Sequence, residues 1–179
     1  MRKLVATLTV ITLGVTLLGC TPPPVPPETT SPPPTTPTPT PQFTEEEQAV
    51  IGAVDRFQER WIEITQNLST ADPNTIHDVA WDPAAADAIT VWIEFHRRGL
   101  QLVGETKFIP DRVKPSTVDY QGQRYNVYGC YALNGAYLVD EEGTKVENDN
   151  TRSTARFEVI HTRNDQYIVT DHEKEGDPC

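Results

Sequence analysis

The segment Thr44–Leu68, TEEEQAVIGAVDRFQERWIEITQNL, predicts a long amphipathic helix against which the rest of the domain packs. Thr44 followed three residues later by Glu47 is typical of a capping box, in which each side chain bonds the other residue's backbone N–H. Apolar residues then recur at spacings of four and three, which places them on one face of about six helical turns. These residues are Val50, Val54, Phe57, Trp61, Ile64 and Leu68. We expect this face to form the core.

Two Asp-Pro pairs downstream predict two further helices, because Asp is a favoured N-cap and Pro is accepted at the first helical position. Asp72-Pro73 begins a short helix that ends near Ala80. Asp82-Pro83 begins a third helix, which carries Trp92 on its apolar face and ends at Gly99. The first part of the domain is therefore expected to be helical.

The pattern changes to a period of two from Leu100 onward, which is typical of strands with one face on a core. The expected strands are 100–109, 113–120, 123–134, 154–162 and 166–172, and the last two form the clearest hairpin. Pro110-Asp111 and Gln121-Gly122 are interpreted as turns, and Pro115 places its strand near an edge or a bulge. Helices followed by antiparallel strands predict an α+β fold.

The N-terminal segment predicts export. Arg2 and Lys3 precede an uncharged apolar stretch that ends in Leu17-Leu18-Gly19-Cys20. That stretch has the length of a signal-peptide core and is short for a membrane span. Its end resembles the bacterial lipobox, which implies cleavage after residues 1–19 and a diacylglyceryl anchor, with acyl chains such as palmitate, on the Cys20 thiol. A plain secreted protein and an uncleaved anchor are the alternatives.

Residues 20–42 contain the cysteine and a Pro/Thr-rich segment in which Glu28 is the only charge. Such a segment cannot bury enough apolar area to fold, so we expect a disordered spacer with polyproline II character. A proline-motif ligand for a recognition domain is the alternative. Residues 43–179 then have a length that suits one domain with one core. Together these features predict a lipid-anchored protein on the extracytoplasmic side of a cell membrane.

The charge balance argues against nucleic acid as a partner. The chain carries 26 acidic and 15 basic residues and a net charge of −11. A strongly acidic protein repels phosphate backbones and anionic headgroups.

The order of elements and the spacing of turns resemble the nuclear transport factor 2-like fold. That resemblance implies N-terminal helices packed in one strongly curved antiparallel sheet, shaped like a cone. The chain also resembles actinobacterial lipoproteins that carry such a domain after a Thr/Pro linker. They often have one cysteine in a central strand and another at the extreme end, as Cys130 and Cys179 stand here. Their acidic residue two places after the strand cysteine is missing, because Ala132 stands there.

With Cys20 assigned to lipid, one pair of cysteines remains in an oxidising compartment. The resemblance implies a disulfide between Cys130 and Cys179. A buried free thiol at Cys130 and an intermolecular bridge through the terminal Cys179 are the alternatives.

The fold resemblance also raises the question of catalysis, since related isomerases and dehydratases use an Asp or Asp–His base with a Tyr donor. The candidates for such groups are Asp87, His96, Asp119, Tyr125, Tyr131 and His161. None lies in a recognisable motif, so no catalytic residue and no cofactor is assigned. An acidic segment with Asp140, Glu142, Glu147 and Asp149 lacks the EF-hand order, so a solvated loop is expected in place of a metal site.

The expected function is therefore a non-catalytic accessory module at the cell envelope. Its ligand would be an apolar small molecule, a wall component or an envelope protein complex. One alternative is an isomerase, dehydratase or hydrolase, and another is a passive wall-associated protein. The predicted pocket is lined by Trp61, Trp92, His96, Tyr125, Phe157 and His161. Tyrosines in opposite phase, such as Tyr125 and Tyr128, put aromatic area on both sheet faces, and the outer face is a candidate surface for a homodimer.

Overall fold

The computed structural model describes residues 42–133, 135–146, 152–174 and 179. The predicted signal peptide, Cys20 and the predicted spacer up to residue 41 lie outside the described residues. Glu147 and Asp149 of the acidic segment lie outside them as well. No helix within the described ranges is long and apolar enough to cross a membrane.

The first helix, α1 (Glu45–Gln66), begins as its capping box predicts. The Glu47 N–H donates to Thr44 Oγ1 over 3.2 Å, and the Thr44 N–H donates to Glu47 Oε2 over 2.8 Å. Three glutamates in the first turn add favourable charge at the positive end of the helix dipole. The predicted start of the helix is confirmed.

The apolar face of α1 packs inward. Val50, Val54, Phe57 and Ile64 are buried, whereas Trp61 and Leu68 are half-buried. Two polar residues, Gln58 and Thr65, are buried beside them. The Thr65 hydroxyl donates to the Trp61 carbonyl over 2.7 Å, which satisfies it inside the helix.

Two shorter helical segments follow. Pro73–Asp78 is a 3₁₀ helix capped by Asp72, whose Oδ1 accepts from the Asn74 N–H over 3.0 Å. Helix α2 runs over Ala84–Arg97, with Pro83 at the N-cap position and no side-chain cap. The prediction that Asp82 caps this helix is wrong, because the helix begins one residue later. The Ala85 N–H bonds to the Trp81 carbonyl instead.

In the described residues, seven strands follow the helices, and they form two antiparallel sheets. The strands are β1 (Gln101–Val103), β2 (Lys107–Val118), β3 (Gly122–Ala132), β4 (Tyr137–Val139), β5 (Lys145–Val146), β6 (Arg152–Thr162) and β7 (Tyr167–Lys174). The larger sheet has the order β2-β3-β6-β7, and the smaller sheet has the order β1-β4-β5. The described chain is thus α+β, with its helices N-terminal to its sheets.

The expected single, strongly curved sheet around the helices, the cone of the nuclear transport factor 2-like fold, is wrong. The predicted strand 100–109 divides at Gly104, whose φ of 87° turns the chain. Its first part, β1, pairs with β4, while the second part continues as β2. Two short strands that were not predicted, β4 and β5, complete the smaller sheet, and β5 lies in the acidic segment that was expected to be a solvated loop.

Strand β2 runs through Pro110, which was predicted to be a turn. Pro110 lacks an N–H, and β2 is an edge strand, so the missing donor is tolerated there. The register shifts between Pro110 and Arg112, which marks a bulge. Gly129 lies opposite on β3, where a Cβ would collide with the Ile109 carbonyl oxygen. Glycine is therefore needed for the two strands to approach.

The core lies between α1, α2 and one face of the larger sheet. Its fully buried members include Val50, Val54, Ile76, Val127, Phe157, Val159 and Val169. After the 3₁₀ helix, Ala80 forms a parallel bridge with Val169, so this segment extends along β7. The helices thus cover one face of the larger sheet, and the opposite face carries charged side chains.

The opposite face of the larger sheet carries ion pairs. Arg124 contacts the carboxylates of Asp119 and Glu158, and Arg156 contacts Asp171 and Glu173. On the same face, the Arg112 guanidinium lies 4.5 Å from the centre of the Tyr128 ring. The expected aromatic surface is therefore overlaid by charge.

The disulfide between Cys130 and Cys179 is present, with an S–S distance of 2.03 Å and the two Cα atoms 5.8 Å apart. It joins the last residue of the chain to β3. This predicted bond is confirmed.

Candidate functional site

A cavity of about 250 Å³ lies where α1, α2 and the ends of β3, β6 and β7 meet. Its walls are largely apolar and aromatic, with a few polar groups. The lining residues from the helices are Phe57, Gln58, Trp61, Asp87, Ala88 and Val91. Those from the sheet are Tyr131, Ala155, Phe157, His172, Glu173 and Lys174. We call this space the cavity.

Phe157 is the centre of the cavity's aromatic wall and is only 2% exposed. Its ring meets those of Phe57 and Phe108 edge to face, with centroids 6.0 and 4.9 Å away. The His172 ring stacks on it with centroids 6.0 Å apart and planes inclined by 19°. Such contacts hold aromatic rings in fixed orientations. The rings of Phe57, Phe157 and His172 thus form one packed aromatic cluster in the wall.

His172 brings a polar group into this apolar surrounding. Its Nδ1 is buried without a hydrogen-bond partner among the described residues. Burial lowers the pKa of His172, while the carboxylates of Asp87 and Asp171 act in the opposite direction. The neutral imidazole therefore dominates near pH 7, and one of its nitrogens is an acceptor.

Two further polar side chains line the cavity. Burial raises the pKa of the Tyr131 hydroxyl, against a smaller opposing effect of the Thr106 hydroxyl, so Tyr131 stays protonated. Gln58 is 7% exposed, and its Oε1 has no hydrogen-bond partner within the described ranges. Unpaired buried polar groups cost free energy, which a bound molecule with a matching group would recover.

The mouth of the cavity is charged. Asp87 on α2 and Glu173 and Lys174 on β7 are exposed, and Glu173 accepts a hydrogen bond from Arg156 over 3.0 Å. Val91 adds an apolar, 41% exposed side chain to the same rim. An occupant would therefore meet charge at the entrance and aromatic rings inside.

Of the six residues predicted to line a pocket, Trp61 and Phe157 line the cavity. Tyr125 is buried elsewhere, and its hydroxyl donates to Glu46 Oε1 at the start of α1. Burial and this hydrogen bond both raise the pKa of Tyr125.

The other three predicted residues also lie outside the cavity wall. His161 stacks on Tyr167 with centroids 4.2 Å apart, and its Nε2 lies 2.8 Å from Asp165 Oδ1. Trp92 and His96 stack on each other along α2, 5.1 Å apart, with His96 exposed.

Two of the catalytic candidates, Asp87 and Tyr131, are brought together with His172 by the cavity. Asp119 is not, because it belongs to the opposite face of the sheet. There the Arg124 guanidinium, helped by the Gln121 backbone N–H, holds the pKa of Asp119 below its usual range. Asp119 is thus an ion-pair partner and no candidate for a base.

Sequence reasoning missed His172 because of one extra residue in β7. Near the hairpin turn His161 pairs with Tyr167 and Val159 with Val169, but further along Glu158 pairs with Asp171. Thr170 is therefore inserted, and its hydroxyl donates to Glu158 Oε1 over 2.9 Å. An unbroken period of two would put Asp171 opposite Phe157, whereas the insertion puts His172 there.

The described residues contain no group of three His, Cys, Asp or Glu side chains placed to hold a metal ion. Asp140 of the acidic segment instead organises a turn, since its Oδ1 accepts from the N–H groups of Glu142 and Thr144 over 3.1 and 2.8 Å.

No family model and no curated protein sequence matches this chain. Among solved structures, the chain is similar to the intermembrane space region of the chloroplast protein ARC6, with a TM-score of 0.54 and 13% identity. The likeness covers 76% of this chain and 100% of that one. At this identity it shows the fold alone.

Two weaker likenesses accompany it. An iota-carbonic anhydrase from a cyanobacterium, complexed with bicarbonate, has a TM-score of 0.41 at 10% identity and covers 78% of this chain and 95% of its own. Aln2 from a Streptomyces species has a TM-score of 0.40 at 14% identity and covers 76% of this chain and 93% of its own. Neither carries an argument about this chain. The nuclear transport factor 2-like resemblance holds only in its coarse form, helices followed by antiparallel strands.

Proposed function

We propose that this domain binds a small, largely apolar molecule in the cavity and acts as a non-catalytic accessory module at the cell envelope. The observation that carries the proposal is His172 Nδ1, a buried polar atom without a partner among the described residues, which lies beside the aromatic rings of the cavity. Ligand sites commonly combine apolar walls with a few placed polar groups. An aromatic ligand with one hydroxyl group could donate a hydrogen bond to the neutral imidazole.

The size of the cavity limits the ligand. At about 250 Å³ it exceeds the ~150 Å³ cavity that holds benzene and lies just below the ~300–1,000 Å³ of typical ligand sites. A molecule of one or two fused rings fits this range. The rings of Phe57, Trp61 and Phe157 would contact its faces and edges.

The test uses naphthol as the probe and isothermal calorimetry on the full-length chain. Val91→Trp places a large ring at the cavity rim, and Ile93→Trp is its matched control, because Ile93 is 53% exposed on the same helix and does not line the cavity. We expect Val91→Trp to weaken binding by about tenfold or more, the effect of ~1.4 kcal/mol. Absent binding, or equal effects of the two variants, contradicts the proposal.

A cavity enzyme is the second candidate, and one observation favours it. Asp87, Tyr131 and the neutral His172 line the same space, which is the set of groups a proton-transfer reaction needs. Native mass spectra of the wild type and of His172→Gln, purified from the natural host, separate the two functions. A binding module retains the same molecule in both proteins, at lower occupancy in the variant, whereas a His172 base leaves unconverted substrate, of different mass or fragmentation, in the variant.

The proposed location at the cell envelope rests on the sequence of residues 1–42. Its main features are the lipobox-like Leu17-Leu18-Gly19-Cys20 and the Pro/Thr-rich segment after it. An anchored binding domain would capture its ligand close to the membrane. We expect Cys20→Ala to leave a precursor of larger mass or to release the protein into the aqueous phase in detergent partitioning. A product of normal mass that still enters the detergent phase would refute the lipid anchor.

A further inference from the structure

Gln58 also lines a second concavity, of about 590 Å³, between α1 and the loop that joins β1 to β2. Asp55, Glu59 and Glu63 follow one side of α1 at a spacing of four residues, and Glu105 lies in the loop. We call this space the acidic groove. It is distinct from the cavity, with which it shares only Gln58.

The negative charge in the acidic groove is only partly matched. Its four carboxylates face one lining cation, Lys107, while Glu63 lies 3.5 Å from Arg60 at the helix surface. Burial raises the pKa of Asp55, and the charge of Glu59 raises it further, although Lys107 and Arg56 act against this. The carboxylates of Asp55 and Glu59 are thus close enough to repel each other.

Two buried polar side chains line the same groove. Gln58 and Thr106 are each only 7% exposed. Gln58 Oε1 has no hydrogen-bond partner in the part of the chain that is described, whereas the Thr106 hydroxyl lies close enough to the Tyr131 hydroxyl to act on its pKa. Both oxygens can accept a hydrogen bond, as can the carboxylates around them. The groove therefore combines these acceptors with four carboxylates, and Lys107 is the one positively charged donor among its lining residues.

We propose that the acidic groove binds a primary ammonium group carried on an alkyl chain. An ammonium ion has three N–H donors and a compact positive charge, which matches carboxylates combined with amide and hydroxyl oxygens. Ile62 and Phe108 supply apolar surface for the alkyl chain. The charged group has two sources, a free alkylamine and the lysine side chain of a peptide.

The test measures binding to the full-length chain by calorimetry, at low and at high salt. The free-amine probe is cadaverine, and its control is the neutral diol of the same chain length. The peptide probe is acetyl-Ala-Lys-Ala-amide, with the norleucine analogue as its control. We expect at least one ammonium probe to bind, its neutral control not to bind, and the affinity to fall with salt.

Glu59→Gln and Glu105→Gln remove a charge from exposed residues that line the groove. Each is expected to weaken binding by about tenfold, the measured scale for one charged hydrogen bond. Glu142→Gln, at an exposed glutamate outside the groove, is the matched control and should bind like the wild type. Unchanged melting temperatures would show that the variants remain folded.

The possible outcomes distinguish a free amine from a lysine side chain as the ligand, and the acidic groove from the cavity as the site. Tighter binding of cadaverine assigns the groove to free amines, and tighter binding of the peptide assigns it to lysine side chains. His172→Gln should leave ammonium binding unchanged, so this inference stands or fails apart from the cavity ligand. Absent binding of both ammonium probes, equal binding of the neutral controls, or equal affinities of Glu59→Gln and Glu142→Gln would overturn the proposal.

Discussion

The environment of His172 makes the stability of the protein depend on pH. The lowered pKa of His172 means that the unfolded chain takes up a proton more readily than the folded chain once the pH falls below 6.5. Stability that is fully present above 6.5 is therefore lost as the pH drops towards the folded-state pKa. We expect urea denaturation to show this loss in the wild type and a smaller one in His172→Gln. Parallel pH profiles of the two proteins would rule out His172 as the cause.

Single residues also show why the site was only partly predictable. The apolar period of α1 correctly predicted that Trp61 lines the cavity, and the alternation along β6 did the same for Phe157. His161 shares the sheet face of Phe157 but lies four residues further along β6, roughly 13 Å at ~3.3 Å per residue. Alternation predicts the face of a residue and not its position along the strand. His172 was hidden by Thr170, an insertion that only the paired strands reveal.

Among the elements, α1 depends on local signals, because its cap and its apolar period lie within one stretch of chain. Thr44→Ala removes the side-chain acceptor for the Glu47 N–H and the partner of the Glu47 carboxylate. We expect a loss of about 1 kcal/mol in the free energy of unfolding, measured with denaturant. Thr44→Ser keeps the hydroxyl and should retain most of the stability. Equal stabilities of the Ala and Ser variants would mean that the cap contributes nothing.

The number and pairing of the strands are set by contacts between residues far apart in the sequence, so they were less predictable than α1. The direction of the chain at Gly104 and the β1–β4 pairing involve residues more than thirty positions apart. Short strands such as β5, with two residues, have no period to detect. Pro110 signalled a turn in the sequence, but its edge position in the sheet removed the conflict that a central strand would have had.

For the whole molecule, the disulfide is the main constraint on the unfolded chain. The bonded cysteines are 49 residues apart, and a closed loop of that length contributes about 4 kcal/mol in the chain-entropy model. We expect the Cys130→Ser/Cys179→Ser double variant to lose up to this amount in denaturant titrations. The reduced wild type is the control and should resemble the variant. If the oxidised wild type and the double variant unfold at the same denaturant concentration, the bond does not stabilise the domain.

The same bond changes what a pulling force can do to this protein. Because Cys179 is bonded to Cys130, tension applied between the start of α1 and Cys179 passes through the sulfur atoms and bypasses residues 131–178. Strands β4 to β7 then carry no load along their backbone, even after the sheet has come apart. At ~3.5 Å per residue, roughly 170 Å of chain stays hidden from extension until the bond is reduced.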